Sequence, residues 1–254
     1  MSRARKPEAS FVYQEVIYPE SDGKPMAETD LHIDCLIDLR EALKDFFRND
    51  PDIYVSGNIF VYYEEGDIRK QVSPDVLVVM GVEKKRRRYY QIWSEGKGLD
   101  VVIEVTSRKT RRADTDFKKK LYQRLGVKEY YLYDPTGDYL KDRLLGYRLI
   151  GNRYVAVRLS KGTDRLYSDV LGLELVLVLD QLRLYDPRSQ RFLLTPSETA
   201  EAQRQAEAAR RAADAAREQA EQENARLRAE LDRLQKQSAT LLSPRRRSWS
   251  KKQP

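Results

Sequence analysis

Apolar positions change period several times along this chain, and each period predicts a different element. Between residues 29 and 47, Leu31, Cys35, Leu36, Leu39, Leu43 and Phe46 recur at helical spacing, with Thr29 or Asp30 placed to cap the start. Residues 53–56 and 59–63 then read as strands, ended by the polar turn at 64–67. Residues 72–80 and 100–106 are dense in β-branched side chains and read as buried strands. The loop between them is polar and basic and carries Trp93. Helical spacing returns over 112–125, where Phe117, Leu121 and Leu125 form an apolar face, and Gly126 stops it. A strand at 129–134 and the turn Asp134-Pro135-Thr136-Gly137 follow. Two hairpins are expected next, 145–150 with 154–159 around Gly151-Asn152, and 173–179 with 181–185. Helix, strands, helix, strand and hairpins in that order predict an α/β (α+β) domain, a mixed sheet flanked by helices.

The pattern changes again after Pro196. Residues 197–237 contain no Gly or Pro and are mostly Ala, Glu, Arg and Gln, all good helix formers. Ala206, Ala213, Ala220, Leu227 and Leu234 repeat every seven residues, Ala209 and Ala216 fill a second seam, and Glu223 and Asn224 interrupt it. This predicts a C-terminal coiled-coil helix and self-association through it, as a homo-oligomer. The expected organisation is an N-terminal arm over 1–26 with an edge strand at 11–18, a domain over 27–190, the coiled-coil helix, and a basic, disordered tail over 238–254.

Composition narrows the setting. The single cysteine, Cys35, rules out an intramolecular disulfide. No apolar run follows the basic N-terminus as a secretory signal requires, and the longest apolar runs are too short to cross a bilayer. A soluble, cytoplasmic protein with no membrane contact is expected. The net charge of +7 is concentrated in runs at 84–88 (KKRRR), 108–112 (RKTRR), 118–120 (KKK) and 245–247 (RRR). Such runs suit a polyanion, with Arg108, Lys109, Arg111 and Arg112 as candidate nucleic-acid contacts, although a charge run also simply solvates a face.

Two acids stand out against their surroundings. Asp75 opens an apolar strand, and Glu104 sits inside Val101-Val102-Ile103-Glu104-Val105. A carboxylate in a buried strand is costly unless it is paired or binds a cation. Brought together on neighbouring strands, the two would offer the hard oxygen ligands that Mg²⁺ or Mn²⁺ takes. On the helix that follows, Asp114, Lys118 and Tyr122 are spaced i, i+4, i+8 and share a face, so the Lys118 ammonium can reach a phosphate or a water. Tyr122 reads as a packing residue, and Lys119 and Lys120 as solvated. His32 and Cys35 are too few for a zinc site, and His32 reads as a packing or surface residue. No phosphate-cradling glycine loop or nucleophile elbow is present.

Taken together, Asp75, Ile103-Glu104-Val105 with Ser107, Asp114-xxx-Lys118-xxx-Tyr122, and the string from Leu125 to Pro135 (LGVKEYYLYDP) resemble the Uma-type family of restriction-endonuclease-like proteins over about residues 25–187. The resemblance implies a PD-(D/E)XK nuclease fold, a divalent metal and a nucleic-acid substrate, with DNA expected. It implies catalytic roles for Asp75, Glu104 and Lys118, metal ligation by Asp75, Glu104 and the Val105 carbonyl, and support from Asp114, Tyr122 and His32. One departure is plain. The pattern sets a lysine two residues after the second acid, on the same strand face, and here that residue is Thr106; Lys118 is expected to replace it from the helix. Two other functions remain open at this level: a catalytically inactive nucleic-acid-binding protein of the same fold, and an interaction protein whose coiled coil does the work.

Overall fold

A computed structural model describes residues 16–21, 29–158 and 165–242. In chain order these form helix α1 (Asp30–Phe46), strands β1 (Ile53–Ser56), β2 (Val61–Tyr62), β3 (Gln71–Val72), β4 (Val76–Met80) and β5 (Tyr90–Gln91), the one-turn helix α2 (Ile92–Glu95), and β6 (Val101–Val105). A π-helical segment (Ala113–Lys118) runs directly into α3 (Lys119–Arg124), followed by β7 (Glu129–Tyr133), β8 (Leu144–Ile150), β9 (Arg153–Val157), β10 (Arg165–Ser168), β11 (Leu173–Val178), β12 (Gln181–Asp186), β13 (Arg191–Phe192) and α4 (Pro196–Leu242). The chain divides into two compact units, with the break between Pro196 and Ser197.

The architecture is mixed α and β. The main sheet has the order β1-β4-β6-β7-β8-β9, with β6 and β7 parallel and the other neighbours antiparallel. Strand alternation sorts its side chains onto two faces. Val76, Val78, Val101, Ile103 and Tyr131 pack against Leu36, Leu39 and Leu43 of α1 and against Leu173, Leu175 and Leu184 of the second sheet, β10-β11-β12-β13. Leu77, Val79, Val102, Tyr130 and Leu132 pack on the opposite face against Leu121, Tyr122 and Val127, and against Val61, Val72 and Tyr90 of the small sheet β3-β2-β5. Each fully buried Val or Leu contributes about 1.5–3 kcal/mol, so two packed faces make β4, β6 and β7 the rigid centre. Residue 104 falls on the α3 side, because it alternates with Ile103 and Val105.

Several expectations shift in detail. The strand expected at 72–80 is two strands, β3 and β4, broken at Ser73-Pro74-Asp75, where Pro74 has no N–H to give a ladder. The helix expected at 112–125 has a π-helical middle, and Phe117, expected on its buried face, is 57% exposed. A wider turn brings residues 114 and 118 nearly into line and swings 117 outward. The two-residue strands β5 and β13, the short β10 and the one-turn α2 carry too few residues for a period to be read. Of the edge strand expected at 11–18, residues 11–15 lie outside the described residues, and 16–18 are not in a strand. The first hairpin's return strand ends at Val157, and residue 159 lies outside the described residues. Helix α4 runs on through 238–242, the start of the expected tail; 243–254 lie outside the described residues.

Candidate active site

The acidic pair forms at the end of the main sheet. Antiparallel pairing of β4 with β6 sets Val76 opposite Ile103, so the next step of the register sets Asp75 opposite Glu104. There the ladder continues through side chains. The Val105 N–H donates to Asp75 Oδ2 at 2.7 Å, and the Asp75 N–H donates to Glu104 Oε2 at 3.4 Å. A strand residue's N–H and C=O point to the same edge, so the Val105 carbonyl also faces the Asp75 side. The neighbouring chain at Gly57 passes so close that a Cβ there would stand 2.0 Å from the Asp75 carbonyl oxygen. Glycine is therefore required at 57 for Asp75 to keep its place.

The helix after β6 completes the cluster. Lys118 Nζ lies 2.8 Å from Glu104 Oε2 and 3.1 Å from Asp114 Oδ1, and the Tyr122 hydroxyl donates to Glu104 Oε1 at 2.7 Å. Tyr122 is thus more than a packing residue: it holds one carboxylate oxygen while Lys118 holds the other. The Tyr130 hydroxyl donates to the Asp114 carbonyl at 2.9 Å and pins the π-helical turn to β7. From the other side His32, on the first turn of α1, is buried with Nε2 3.7 Å from Asp75 Oδ2, an electrostatic contact too long for a hydrogen bond. The sheet end therefore gathers Asp75, Glu104, Lys118, Asp114, Tyr122 and His32. Neither the burial of Asp114 nor the role of Gly57 carried a signal in the sequence.

Burial dominates the electrostatics. It pushes the Glu104 carboxyl up to about 8, against the pull of the Lys118 ammonium. It raises the Asp114 carboxyl too, with Lys118 again opposing. Asp75 is also penalised by burial, but the His32 imidazole, the Lys118 charge and the Val105 N–H outweigh this and hold it below the ordinary carboxylate range. Burial alone would lower the Lys118 ammonium, yet Glu104, Asp114 and Asp75 raise it, so it stays charged. The side chains of Asp75 and Lys118 keep 12% and 15% exposure while Glu104 keeps none, so the cluster opens to solvent on the Asp75–Lys118 side.

Arg108, Lys109, Arg111 and Arg112 do not join this cluster. They line a cleft of about 490 Å³ with Asp138 and Tyr139. The turn that presents them is built by Ser107 and Thr110: the Ser107 N–H donates to Thr110 Oγ1 at 3.0 Å, and the Thr110 N–H donates to Ser107 Oγ at 3.3 Å. The opposite wall hangs on Asp134, which is buried and accepts the N–H groups of Gly137, Tyr139 and Leu140 at 2.9, 2.6 and 2.8 Å. Among the described residues, none of the four cations has a carboxylate within ion-pair distance. Tyr139 was not anticipated from sequence, because only the fold of the 134–140 loop brings it beside residues 108–112.

A family model described as "Putative restriction endonuclease", Uma2, matches residues 12–180. The chain belongs to the Uma2 family. Membership supports a nuclease and agrees with the resemblance read from Asp75, Glu104 and the helix after it. No curated protein matches the chain. Among solved structures, one titled as a "putative nuclease belonging to DUF820" from Anabaena variabilis aligns over 60% of this Uma2 chain and 81% of its own, at 13% identity with a TM-score of 0.42. Among the described residues no helix is long and apolar enough to cross a membrane.

The metal that such a family implies can be tested against the residues present. Among the described residues, no group of three His, Cys, Asp or Glu side chains is arranged to hold a metal ion. The donor chemistry nevertheless fits a hard cation, with two carboxylates facing across β4 and β6 and a strand-edge carbonyl beside them. The charge fits once Lys118 withdraws from Glu104 Oε2, the oxygen it now neutralises.

Proposed function

We propose that this chain is a divalent-metal-dependent endonuclease that hydrolyses DNA phosphodiester bonds. The observation that carries this reading is the meeting of Asp75, Glu104 and Lys118 at one open sheet end. In this reading Asp75, Glu104 and the Val105 carbonyl hold Mg²⁺ or Mn²⁺, which when bound supplies positive charge at the phosphoryl group and lowers the pKa of a water. Tyr122 keeps Glu104 oriented by holding Oε1, leaving Oε2 as the oxygen on offer. Lys118 carries a proton at Nζ and, once released from Glu104, can give it or its charge to a phosphate oxygen. Its flexible stem allows the move, and Asp114 holds the ammonium nearby. His32 bears on Asp75 and favours its ionised form. Arg108, Lys109, Arg111 and Arg112 take the flanking phosphates. The helix α4 joins copies of the chain.

Plasmid DNA incubated with the protein and Mg²⁺ or Mn²⁺ tests the reading, with an RNA of similar length in parallel. Metal-stimulated nicking is expected from the natural chain and not from Asp75→Ala or Glu104→Ala. Lys118→Ala should slow it roughly 10²-fold or more, the size of one lost acid–base or charge-stabilising group, while Lys120→Ala should change it little. Binding of DNA without cleavage under either metal would favour the inactive binding protein, a reading supported by the tight Lys118–Glu104 pair. Cleavage of RNA alone would reassign the substrate. A Lys118→Ala protein that cuts at the natural rate would reduce Lys118 to a structural ion pair.

A further inference from the structure

The sequence pattern of α4 reads at first as a heptad seam interrupted at Glu223 and Asn224. The helix itself is unbroken there, and the seam can be followed through both residues. Ala202, Ala206, Ala209, Ala213, Ala216 and Ala220 are spaced by four and three in alternation; the next step, to Asn224, is another four; Leu227, Leu231 and Leu234 then follow at three, four and three. Two fours in succession amount to a single four-residue stutter, which locally unwinds a supercoil and does not end it. After the stutter Asn224 and Leu231 occupy a positions and Leu227 and Leu234 occupy d positions. Leu227, Leu231 and Leu234 are 48%, 58% and 55% exposed, a leucine stripe on a helix whose described side chains are otherwise polar, charged or small.

We propose that this stripe binds the same stripe of a second copy of this chain, as a parallel, in-register, two-stranded coiled coil centred on Asn224–Leu234. It rests on the reading of α4 as the joining element and commits that reading to one geometry. Two observations support the choice. A single asparagine at an a position specifies two strands in register, because its amide is satisfied there only by its counterpart. Charge supplies the orientation. Glu223 falls at g and Arg228 at e of the following heptad, the pair that meets between parallel strands. Within one helix five residues separate them, so they point in different directions. Neither makes an ion pair among the described residues, whereas the upstream charges pair within the helix, as in Arg204–Glu201 and Arg217–Glu221 at 2.7 and 2.9 Å. An antiparallel pairing would set g against g, bringing Glu223 and Glu230 of the two strands onto the same side. The alanine half of the seam buries little area, so the leucine segment carries most of the association.

Sedimentation equilibrium of the full chain should give twice the chain mass at micromolar concentration, and Leu231→Lys should give a monomer. A natural chain that stays monomeric would overturn the proposal. Leu231→Lys also risks fraying the helix, so charge swaps supply the second arm. Glu223→Arg alone and Arg228→Glu alone should each weaken the dimer roughly tenfold, since two equivalent pairs become repulsive, and the double swap should restore it. Single swaps without effect, or a double swap weaker than either, would exclude the parallel register. Because the readout is mass, the result stands apart from whether the chain cuts DNA.

Discussion

The basic runs at 84–88 and 108–112 are nearly interchangeable in sequence, and the fold treats them differently. In the first, Lys84 Nζ donates to the Phe47 carbonyl, Lys85 pairs with Glu83 at 3.2 Å, and Arg88 pairs with Glu20. Arg87 grips Glu95 through Nε and an Nη, both at 2.8 Å, while its guanidinium lies 4.3 Å from the centre of the Tyr54 ring. Among the described residues Lys84 and Arg86 have no acidic partner, and of these two Lys84 is held by the Phe47 carbonyl. In the second run no cation has one. The difference teaches that a charge run points to a polyanion only after the carboxylates the fold brings to it are subtracted. Coulomb energy between exposed ions is small, but it suffices to place a side chain, and a placed side chain is less available to a ligand.

This contrast can be broken by experiment, first where the expected effect is largest. Replacing Arg108, Lys109, Arg111 and Arg112 by Ala should weaken DNA binding roughly 10²-fold at low salt and reduce the slope of log affinity against log salt by about 3–4. Replacing Lys84, Lys85 and Arg86 by Ala should move affinity about threefold or less. Fluorescence anisotropy across a salt series measures both, and equal losses would erase the distinction. Next comes stability. Arg87→Ala leaves Glu95 without its partner and uncovers Tyr54, which should cost about 2 kcal/mol in urea unfolding, whereas Arg111→Ala should cost under about 0.5 kcal/mol.

The smallest effect concerns the wall facing the second run. Burial opposes ionisation of Asp134, but the N–H groups of Tyr139, Leu140 and Gly137 and the Thr136 hydroxyl hold its carboxyl below the ordinary range. A carboxyl depressed on folding contributes stability that is present above its unfolded value, about 4, and lost as pH falls through the lower folded value. Asp134→Asn should therefore flatten the acid limb of stability below about pH 4 and loosen the Tyr139 wall, with a modest loss of DNA affinity. An unchanged acid limb would show that the loop does not depend on that charge.

Much of this protein was legible because it depends on local chemistry. The α1 periodicity, the β-branched density of β4 and β6, and the Gly-free run of α4 each report a backbone period that a few neighbouring residues impose. Glu104 announced itself in the same way, since a carboxylate among valines and isoleucines needs a reason to be there. The spacing of Lys118 and Tyr122 to Asp114 is enough by itself to set them on one helix face. Tertiary structure decided what those groups touch. It opened a π-helical turn that swung Phe117 out, set the Tyr122 hydroxyl on Glu104 and brought His32 from α1 to Asp75. It also made Gly57 indispensable, since the Asp75 carbonyl crosses there, and engaged one basic run while leaving the other open. These outcomes depend on residues tens of positions apart meeting in space. The strength of a charge or hydrogen bond there follows from distance and burial, and a local pattern encodes neither.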